Sequence, residues 1–576
     1  MIKSRSALPR ARRPLLALLA VSATLALLAP AAAAKPPAGG PAEQNAQTTK
    51  IQLLGLNDFH GQLEPPAGSG GRIGGSEAAG NAGGVEYLAT HLRNLEATNP
   101  NTLFVTAGDN IGATPLLSAL FHDEPTIEAL NLMGLDYAAV GNHEFDEGVD
   151  ELLRMQGGGC HPVDGCQDGD GFAGADFQYL AANVTYKDSG ETILPAYSIE
   201  HFNGVKVAII GMTLEGTPSV VSPSAIATVN FADEAATVNA LVPQLKRQGV
   251  ETIVVLLHEG GSTTGGLTPT TINQCNNPTG ALPGIAAALD DEVDVMVTGH
   301  TNWAVNCVID GKIVTGAASA GRLVTDIDLT ISRATKDVVS ATVNNVIVTR
   351  TVAKAPDLTA LVTKYQTLSA PFANRIIGKI TASITRTANA AGESALGDRI
   401  ADAQNFDAQQ AGTGSQIAFM NAGGIRADLL YPSSPAGEGD GNVTYGEAFT
   451  VQPFGNTLVT MTLTGAQIDA LLEQQFTGGI GILQVSDGFA YTRTDTGPAG
   501  NKVTNITLNG VPINPVTNYR VTVNSFLADG GDNYSVLTQG TNRVAGAVDT
   551  DAFERYLIAN PSGVTPGPQN RITRVP

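Results

Sequence analysis

Apolar and polar positions in residues 48–330 follow two alternating patterns. Short runs rich in β-branched and other apolar residues, such as "TLFVT" and "TIVVLL", are separated by stretches in which apolar residues recur at helical spacing. This alternation of strands and helices is typical of an α/β layered domain. The chain has 576 residues, more than one hydrophobic core usually organises, so two or three domains are expected.

The pattern changes after residue 348. In residues 349–375, Pro356 and Asp357 precede apolar positions at helical spacing, which predicts a connecting helix. The remainder is rich in Thr, Val, Gly and Asn, and this composition predicts several strands joined by turns. We therefore expect a first domain at 48–348, a linker helix at 349–375 and a second domain at 376–576.

Residues 1–34 have the pattern of a secretory signal peptide. Five basic residues precede an apolar run at 15–28, and alanines at 31–34 provide a cleavage-like site. A transmembrane anchor is the competing interpretation, but the run is short for a bilayer. We expect export to a periplasm or to the medium, a flexible segment at 35–47, and no membrane span after cleavage.

The net charge disfavours one class of partner. Residues 1–34 carry five basic and no acidic residues, so their removal takes the formal net charge from −21 to −26. Such a surface repels phosphate backbones, and no nucleic acid is expected as a partner. An anionic substrate would need a local positive centre, such as a bound metal or a focused arginine. We expect a monomer.

Four cysteines occur, at Cys160, Cys166, Cys275 and Cys307. Export favours disulfides, and four cysteines allow three connectivities. We favour Cys160 with Cys166, because "CHPVDGC" is a short, turn-rich loop, which leaves Cys275 for Cys307. A cysteine zinc site is the alternative, but the spacing does not suit one.

Five of the strand-like runs end in side chains that can ligate a metal. In chain order these residues are Asp58, His60, Asp109, Asn142, His143, His258, His300 and Asn302. Ligands of α/β sheets bind beyond the carboxyl ends of strands, where loops converge. One such residue alone would be a turn residue or a helix cap, but five runs in succession predict a shared metal site.

The number of candidates indicates two divalent ions rather than one, because a site usually takes about four protein ligands. Asp109 stands alone after its strand and is our candidate for a bridging carboxylate. Carboxylates, imidazoles and a carboxamide accept zinc, manganese, cobalt, iron or magnesium, so the identity of the metal stays open.

Ordered motifs give a family resemblance that runs from about residue 50 to the end. "LGLNDFHGQLEP", "TAGDNIGATPLLS", "AVGNHEFDEG", "LLHEGG" and "TGHTNW" resemble the successive motifs of calcineurin-like metallophosphoesterases. More narrowly, the chain resembles the secreted 5′-nucleotidases, UDP-sugar hydrolases and 2′,3′-cyclic nucleotide phosphodiesterases. The resemblance implies an α/β fold: a four-layer metallophosphoesterase β-sandwich with flanking helices, joined by a linker helix to a smaller α+β C-terminal substrate-binding domain.

The resemblance also implies roles in the first domain. The implied metal ligands are Asp58, His60, Asp109, Asn142, His258 and His300, with Asn302 either a ligand or a phosphate contact. His143 would face the scissile phosphate, and Asp146 would orient it and favour the protonated ring. For Glu144 we derive no role and interpret it as a capping or solvated residue.

Three stretches of the second domain match positions that hold the nucleotide in 5′-nucleotidases. "NAGGIRADL", "VQPFGNTL" and "NSFLADGGDNY" supply Asn421, Gly424, Arg426, Phe454, Phe526 and Asp532. The resemblance implies that the two phenylalanines stack on the base and that the aspartate binds the ribose. The asparagine and the arginine would hold ribose or phosphate beside the glycine. By itself, a paired glycine is usually a turn and a phenylalanine usually belongs to a core.

One position departs from the family pattern. Relatives commonly carry an arginine where this chain has Ala390, and Arg386 and Arg399 are the nearest substitutes. The departure concerns the choice of substrate more than the type of reaction.

The resemblance implies an exported two-metal phosphohydrolase that releases nucleoside and phosphate from 5′-nucleotides by attack of a metal-bridging hydroxide. Alternatives that use the same site are hydrolysis of 2′,3′-cyclic nucleotides, of nucleoside di- and triphosphates, or of UDP-sugars. A secreted binding or surface protein on an inactive scaffold is the alternative from a different class.

Overall fold

A computed structural model describes residues 47–66, 71–74, 82–221 and 224–575 of the chain. The expected signal peptide at 1–34 and all but the last residue of the expected flexible segment at 35–47 lie outside the described residues. None of the helices described is long and apolar enough to cross a membrane.

The first domain contains two six-stranded sheets. In spatial order the strands of the first sheet are Val338–Ile347, Leu323–Ser332, Thr48–Leu56, Thr102–Thr106, Tyr137–Ala139 and Gln178–Leu180. Those of the second sheet are Ala304–Ile309, Lys312–Ala317, Val293–Thr298, Thr252–Leu257, Val205–Met212 and Tyr197–Phe202. Four neighbouring strands of each sheet run parallel, so their carboxyl ends lie at one edge.

Helices cover the outer faces of both sheets, which gives four layers. Alternation along Thr48–Leu56 shows the arrangement: Leu53 packs between the two sheets, whereas Leu54 packs under helices. The helices over the first sheet include Val85–Glu96, Glu124–Met133 and Val149–Gly157, and those over the second are Glu234–Arg247 and Leu282–Ala288. The four-layer α/β fold expected from the sequence is confirmed.

The helix Pro356–Ala373 lies within the stretch predicted to connect the two domains. Pro356 occupies the first helical turn, where its fixed φ is suited and its missing N–H costs no hydrogen bond. The apolar face of the helix, including Leu358 and Tyr365, packs into the core under the first sheet. The helix is therefore part of the first domain's helical layer, and the chain enters the second domain just beyond it.

The second domain is α+β. Its five-stranded sheet has the order Gln484–Val485, Ile417–Met420, Asn518–Asn524, Thr457–Thr464 and Thr541–Val548. A four-stranded sheet has the order Val511–Pro512, Val503–Leu508, Phe489–Thr494 and Ile572–Val575. Its longer helices are Ala395–Gln410, Tyr445–Val451, Gly465–Gln474 and Asp549–Ala559.

All four cysteines form disulfides in the pairing that the sequence favours. One joins Cys160 to Cys166, and the other joins Cys275 to Cys307. No cysteine is free, so the alternative of a cysteine zinc site is wrong.

Candidate metal centre and substrate cleft

The metal-ligand candidates converge where the parallel strands of both sheets end. His258 Nε2 lies 3.1 Å from Asp109 Oδ2 and 3.1 Å from Asn142 Oδ1. His300 Nδ1 lies 2.9 Å from the same Asn142 oxygen, and His60 Nε2 lies 3.8 Å from Asp109 Oδ2. Donor atoms from several separate loops therefore meet within a few ångströms.

Two groups of possible ligands share one residue. His60, Asp109 and His143 form one group, while Asp109, His258 and His300 form the other, each with its ligand atoms within 4.8 Å of one another. Asp109 is nearly fully buried between them. A carboxylate common to two adjacent groups has the arrangement expected of a bridging ligand.

Backbone carbonyls orient two of the imidazoles. His258 Nδ1 donates to Ala107 O at 2.7 Å, and His60 Nδ1 donates to Gly112 O at 2.8 Å. In both rings the remaining nitrogen, Nε2, faces Asp109. An imidazole held through one nitrogen in this way presents the other to a metal ion.

The loops that carry the ligands are strained. Five candidates have a left-handed backbone, with φ between 47° and 65°: Asp58, His60, Asp109, His300 and Asn302. Residues other than glycine rarely adopt this conformation, and such strain concentrates at functional sites. Gly141 allows the close packing, because a Cβ there would lie 2.1 Å from Asp109 Oδ1.

The charge state of the donors suits cations. Burial lowers the pKa of His60 to about 3 and that of His300 to about 4, so both rings are neutral near pH 7, as metal ligands must be. Burial also raises the pKa of Asp58 to about 7, and its Oδ1 atom is buried without a hydrogen-bond partner among the described residues. A buried carboxylate oxygen without a partner, in a cluster that also contains neutral imidazoles, fits a divalent metal ion.

His258 differs from the other imidazoles. Burial alone would lower its pKa, but the carboxylates of Asp109, Asp58 and Glu144 together outweigh burial and raise the pKa to about 10. A positive charge is therefore favoured at this position beside Asp109, whether a proton or a metal ion supplies it.

His143 forms a hydrogen-bonded pair with Asp146. Its Nδ1 lies 2.7 Å from Asp146 Oδ2, so the other ring nitrogen is left for the cleft. Burial disfavours charge on the ring, but the carboxylates of Asp146 and Asp109 outweigh it and raise the pKa of His143 to about 9. The backbone N–H of His143 also donates to Asp109 Oδ1 at 2.9 Å, which ties this turn to the metal-ligand group.

Glu144 is neither solvated nor a simple helix cap, and our interpretation of it was wrong. Its side chain is buried, and its carboxylate accepts backbone N–H groups of Asp109 at 2.9 Å, Asn110 at 2.8 Å and Gly141 at 2.6 Å. One carboxylate therefore holds two ligand-bearing loops together. No sequence pattern announces this role, because two of the three donors are backbone groups of a loop about 35 residues earlier.

Glu144→Gln is expected to lower the free energy of unfolding of the first domain by about 2 kcal/mol, since an amide NH₂ would replace one of two accepting oxygens. Urea denaturation followed by tryptophan fluorescence measures the change. Glu215→Gln, at an exposed glutamate, is the matched control. An unchanged midpoint for Glu144→Gln would contradict the positioning role.

One cavity of about 320 Å³ joins the two domains at this site. From the first domain it is lined by the metal-ligand candidates His60, Asp109, Asn142, His300 and Asn302, together with His143 and Asp146. All six substrate candidates of the second domain line it as well: Asn421, Gly424, Arg426, Phe454, Phe526 and Asp532. Asp58 and His258 are fully buried behind this surface.

Side chains of the second domain that line the cavity are linked by a chain of hydrogen bonds. Asn524 Nδ2 donates to Asn421 Oδ1 at 3.0 Å, and Asn421 Nδ2 donates to Asp532 Oδ2 at 2.8 Å. Burial raises the pKa of Asp532. Sequence reasoning missed Asn524 although it begins the stretch "NSFLADGGDNY".

The two aromatic candidates have different surroundings. Phe454 lies against His143, with ring centroids 5.9 Å apart and an interplanar angle of 19°, and the Arg426 guanidinium lies 5.6 Å from its ring centre. Phe526 packs against Gly531, where a Cβ would lie 2.5 Å from the ring. Sequence reasoning also missed the cavity-lining residues Val220, Val221, Asn456 and Ile480, for which it predicted no role.

Of the two arginines nearest Ala390, only Arg386 lies near the cavity. Arg386 Nη1 donates to Ile425 O at 3.2 Å. Two causes lower the pKa of the cavity-lining Arg426: burial is the larger, and the positive charge of nearby Arg386 is the second. Arg399 instead donates to Asp402 and to the backbone oxygens of Thr565 and Pro566. Of the two arginines that the sequence offers as substitutes, Arg386 is therefore the one close to the cavity.

Each of the two domains matches a known protein family. Residues 51–303 match the Calcineurin-like phosphoesterase family, and residues 376–539 match the 5′-nucleotidase, C-terminal domain family. The 5′-nucleotidase precursor from Thermus thermophilus is similar in structure, with a TM-score of 0.72 and 26% identity over 91% of this chain and 99% of that one.

Curated relatives are similar along most of this chain. Endonuclease YhcR of Bacillus subtilis is 33% identical over 88% of this chain, which spans only 39% of that protein. Cell wall protein Lmo0130 of Listeria monocytogenes is 33% identical over 90% of this chain and 68% of that protein. The 5′-nucleotidase of Vibrio vulnificus is 24% identical over 89% of this chain and 91% of that protein.

Proposed function

We propose that this chain, which belongs to the calcineurin-like phosphoesterases with a 5′-nucleotidase C-terminal domain, is an exported metal-dependent hydrolase that converts 5′-nucleotides to nucleoside and phosphate. One observation carries the proposal. The same cavity has metal-ligand candidates on one wall and two aromatic rings, an arginine and a carboxylate on the other. This combination fits a phosphate ester joined to a nucleoside.

Each candidate site residue of the first domain has a chemical task in this proposal. Two divalent ions held by Asp58, His60, Asp109, Asn142, His258 and His300, with Asn302 beside them, would supply Lewis-acid chemistry and activate water. His143 donates a proton or a hydrogen bond to the phosphoryl or leaving oxygen. Asp146 keeps the His143 ring oriented and charged through the 2.7 Å contact at Nδ1.

The second domain would recognise the nucleoside and orient the ester. Phe454 and Phe526 offer aromatic faces for the base, and the buried carboxylate of Asp532 accepts hydrogen bonds from ribose hydroxyls. Asn421 positions that carboxylate by its 2.8 Å hydrogen bond. Arg426 brings a guanidinium to the cavity, where it offsets the charge of a phosphate, and Gly424 keeps the adjoining turn free of a side chain.

Export is supported by two features besides the N-terminal pattern. Both disulfides belong to the chemistry of oxidising compartments. A relative that is 33% identical is named as a cell wall protein. We therefore propose that the substrate is met outside the cytoplasm.

A substrate panel tests the proposal and separates it from its neighbours. We expect AMP to show the highest kcat/KM among AMP, ATP, UDP-glucose, 2′,3′-cyclic AMP and a single-stranded oligonucleotide. The cyclic nucleotide and the oligonucleotide are included because two relatives are named as a trifunctional nucleotide phosphoesterase and an endonuclease. A preference for another member would replace the proposed substrate, and protein that neither binds divalent metal nor cleaves any member would be a binding protein.

Phe526→Ala is expected to raise KM for AMP about 10-fold, because loss of one stacked aromatic ring costs about 1–2 kcal/mol. Hydrolysis of ribose 5-phosphate, which has no base, should be unchanged. Phe372→Ala, at an exposed ring on the connecting helix, is the matched control. Equal losses with both substrates would show a structural defect rather than lost base recognition.

A further inference from the structure

A second cluster of side chains of the types that ligate metals lies on the first domain, and none of its members lines the substrate cavity. His122 lies between the helices Leu116–Ala119 and Glu124–Met133. His161 and Asp164 come from the loop closed by the disulfide between Cys160 and Cys166. Two segments far apart in sequence thus bring two imidazoles and a carboxylate together.

The donor atoms of this cluster converge on one oxygen. Asp164 Oδ2 lies 2.9 Å from His122 Nε2 and 3.4 Å from His161 Nδ1. The two imidazole rings stack with centroids 3.7 Å apart and an interplanar angle of 11°. Both rings therefore present a nitrogen to the same side, next to the same carboxylate.

We propose that His122, His161 and Asp164 form a mononuclear metal site, separate from the cavity, that takes zinc or another divalent metal with a similar preference for imidazole and carboxylate ligands. A tetrahedral zinc ion with bonds of about 2.0–2.1 Å separates its ligand atoms by about 3.3 Å. The two observed separations lie on either side of this value. Small movements of the side chains are enough to admit the ion, with water at the fourth position.

The hydrogen bonding of His161 suits a metal ligand. The backbone N–H of Asp164 donates to His161 Nδ1 at 3.2 Å, and because a backbone N–H can only donate, this nitrogen carries a free electron pair. The electron pair of His161 Nδ1 faces the backbone N–H of Asp164. A metal ion in the cluster would take the place of this weak hydrogen bond.

Glu147 completes the arrangement from the other side of His122. Its Oε2 lies 3.1 Å from His122 Nδ1, so the carboxylate holds that nitrogen protonated and leaves Nε2 for the metal. Metal-binding histidines usually have such a carboxylate or carbonyl partner, which fixes the ring and raises its basicity. The cluster therefore contains an orienting group as well as three ligands.

The site is rigid and accessible. The disulfide closes the loop, and His161 forms an antiparallel backbone bridge with Gly165, which holds His161 and Asp164 in place. The side chains of His122 and His161 are 18% and 14% exposed, whereas that of Asp164 is 45% exposed and gives a path from solvent.

Glu147 directly follows Asp146, so an ion here would tie the disulfide loop to the turn that carries the partner of His143. We expect the ion to raise the thermal stability of the chain, because it binds only the folded state.

Metal content measured on the whole purified chain tests the site. After saturation with Zn²⁺ and removal of free ions, His161→Gln and Asp164→Asn should each hold one zinc equivalent fewer per chain than wild type, by mass spectrometry of the metal. His201→Gln, at an exposed histidine elsewhere, should match wild type. The variants should also hydrolyse, at the wild-type rate, the substrate that the panel establishes for wild type. Retained hydrolysis shows that the fold and the cavity ions are intact.

A further comparison separates this ion from those of the cavity. Asp109→Asn should lose cavity metal and still lose one more equivalent when His161→Gln is added. Unchanged zinc content in both His161→Gln and Asp164→Asn would overturn the proposal. His122 would then be an imidazolium held between two carboxylates, which raise its pKa to about 9 through its hydrogen bonds to Glu147 and Asp164.

Discussion

Replacing Asp109 with asparagine is expected to lower kcat/KM for AMP by about 10³-fold or more and to reduce the metal bound in the cavity. Asp109 belongs to both groups of candidate ligands, so its charge is lost from two positions at once. Metal ions contribute several kcal/mol of transition-state stabilisation, and about 4 kcal/mol corresponds to about 10³ in rate. The backbone should stay in place, because the amide oxygen can still accept the His143 N–H, which lies 2.9 Å from Asp109 Oδ1 in the native chain.

The measurement combines steady-state kinetics with metal analysis over a range of added divalent ion. Asp294→Asn is the matched control: this carboxylate is partly buried and accepts the Ile253 N–H at 3.0 Å within the second sheet. It should retain activity and metal. If Asp109→Asn kept full metal content and activity, Asp109 would not bridge two ions, and the assignment of the centre would have to change.

His143→Ala is expected to lower kcat for AMP by about 10³-fold while the cavity metal remains bound. A positioned acid contributes about 10²–10⁴ in rate, and His143 lines the cavity with Nδ1 held by Asp146. The backbone N–H that donates to Asp109 is present in alanine too, so the ligand group keeps that contact. Loss of rate together with loss of metal would instead make His143 a ligand, as its place in the first ligand group allows.

Asp146→Asn separates the role of Asp146 from that of His143. The amide still accepts from Nδ1 but no longer stabilises the charged ring, so we expect a smaller loss of about 10- to 100-fold. Combining it with His143→Ala should cost no more than His143→Ala alone, because residues that act as a unit are not additive. Losses that multiply would show that Asp146 acts independently of the histidine.

The fold class and the nature of the cleft follow from local sequence patterns. Each strand that leads to the site is a short apolar run, and the polar residue that ends it, such as Asp109 or His258, stands at the carboxyl end because parallel strands place their ends at one edge. The disulfide pairing could be predicted from the sequence for a similar reason, since "CHPVDGC" brings Cys160 back to Cys166 within one loop. Fold and family are confirmed by the matches to both domain families. The individual site residues stay predictions that the variants test.

Contacts between distant backbone and side-chain groups were decided only in three dimensions. The role of Glu144 depends on N–H groups of Asp109 and Asn110, which carry no sequence signal because every residue except proline has such a group. The place of Arg386 near Arg426, and of Arg399 away from the cavity, depends on how the loops pack. The cluster of His122 with His161 likewise forms where a helix connection meets a disulfide loop. Periodicity and motif order record what each segment prefers by itself, whereas these contacts arise from the packing of segments that are not neighbours in the chain.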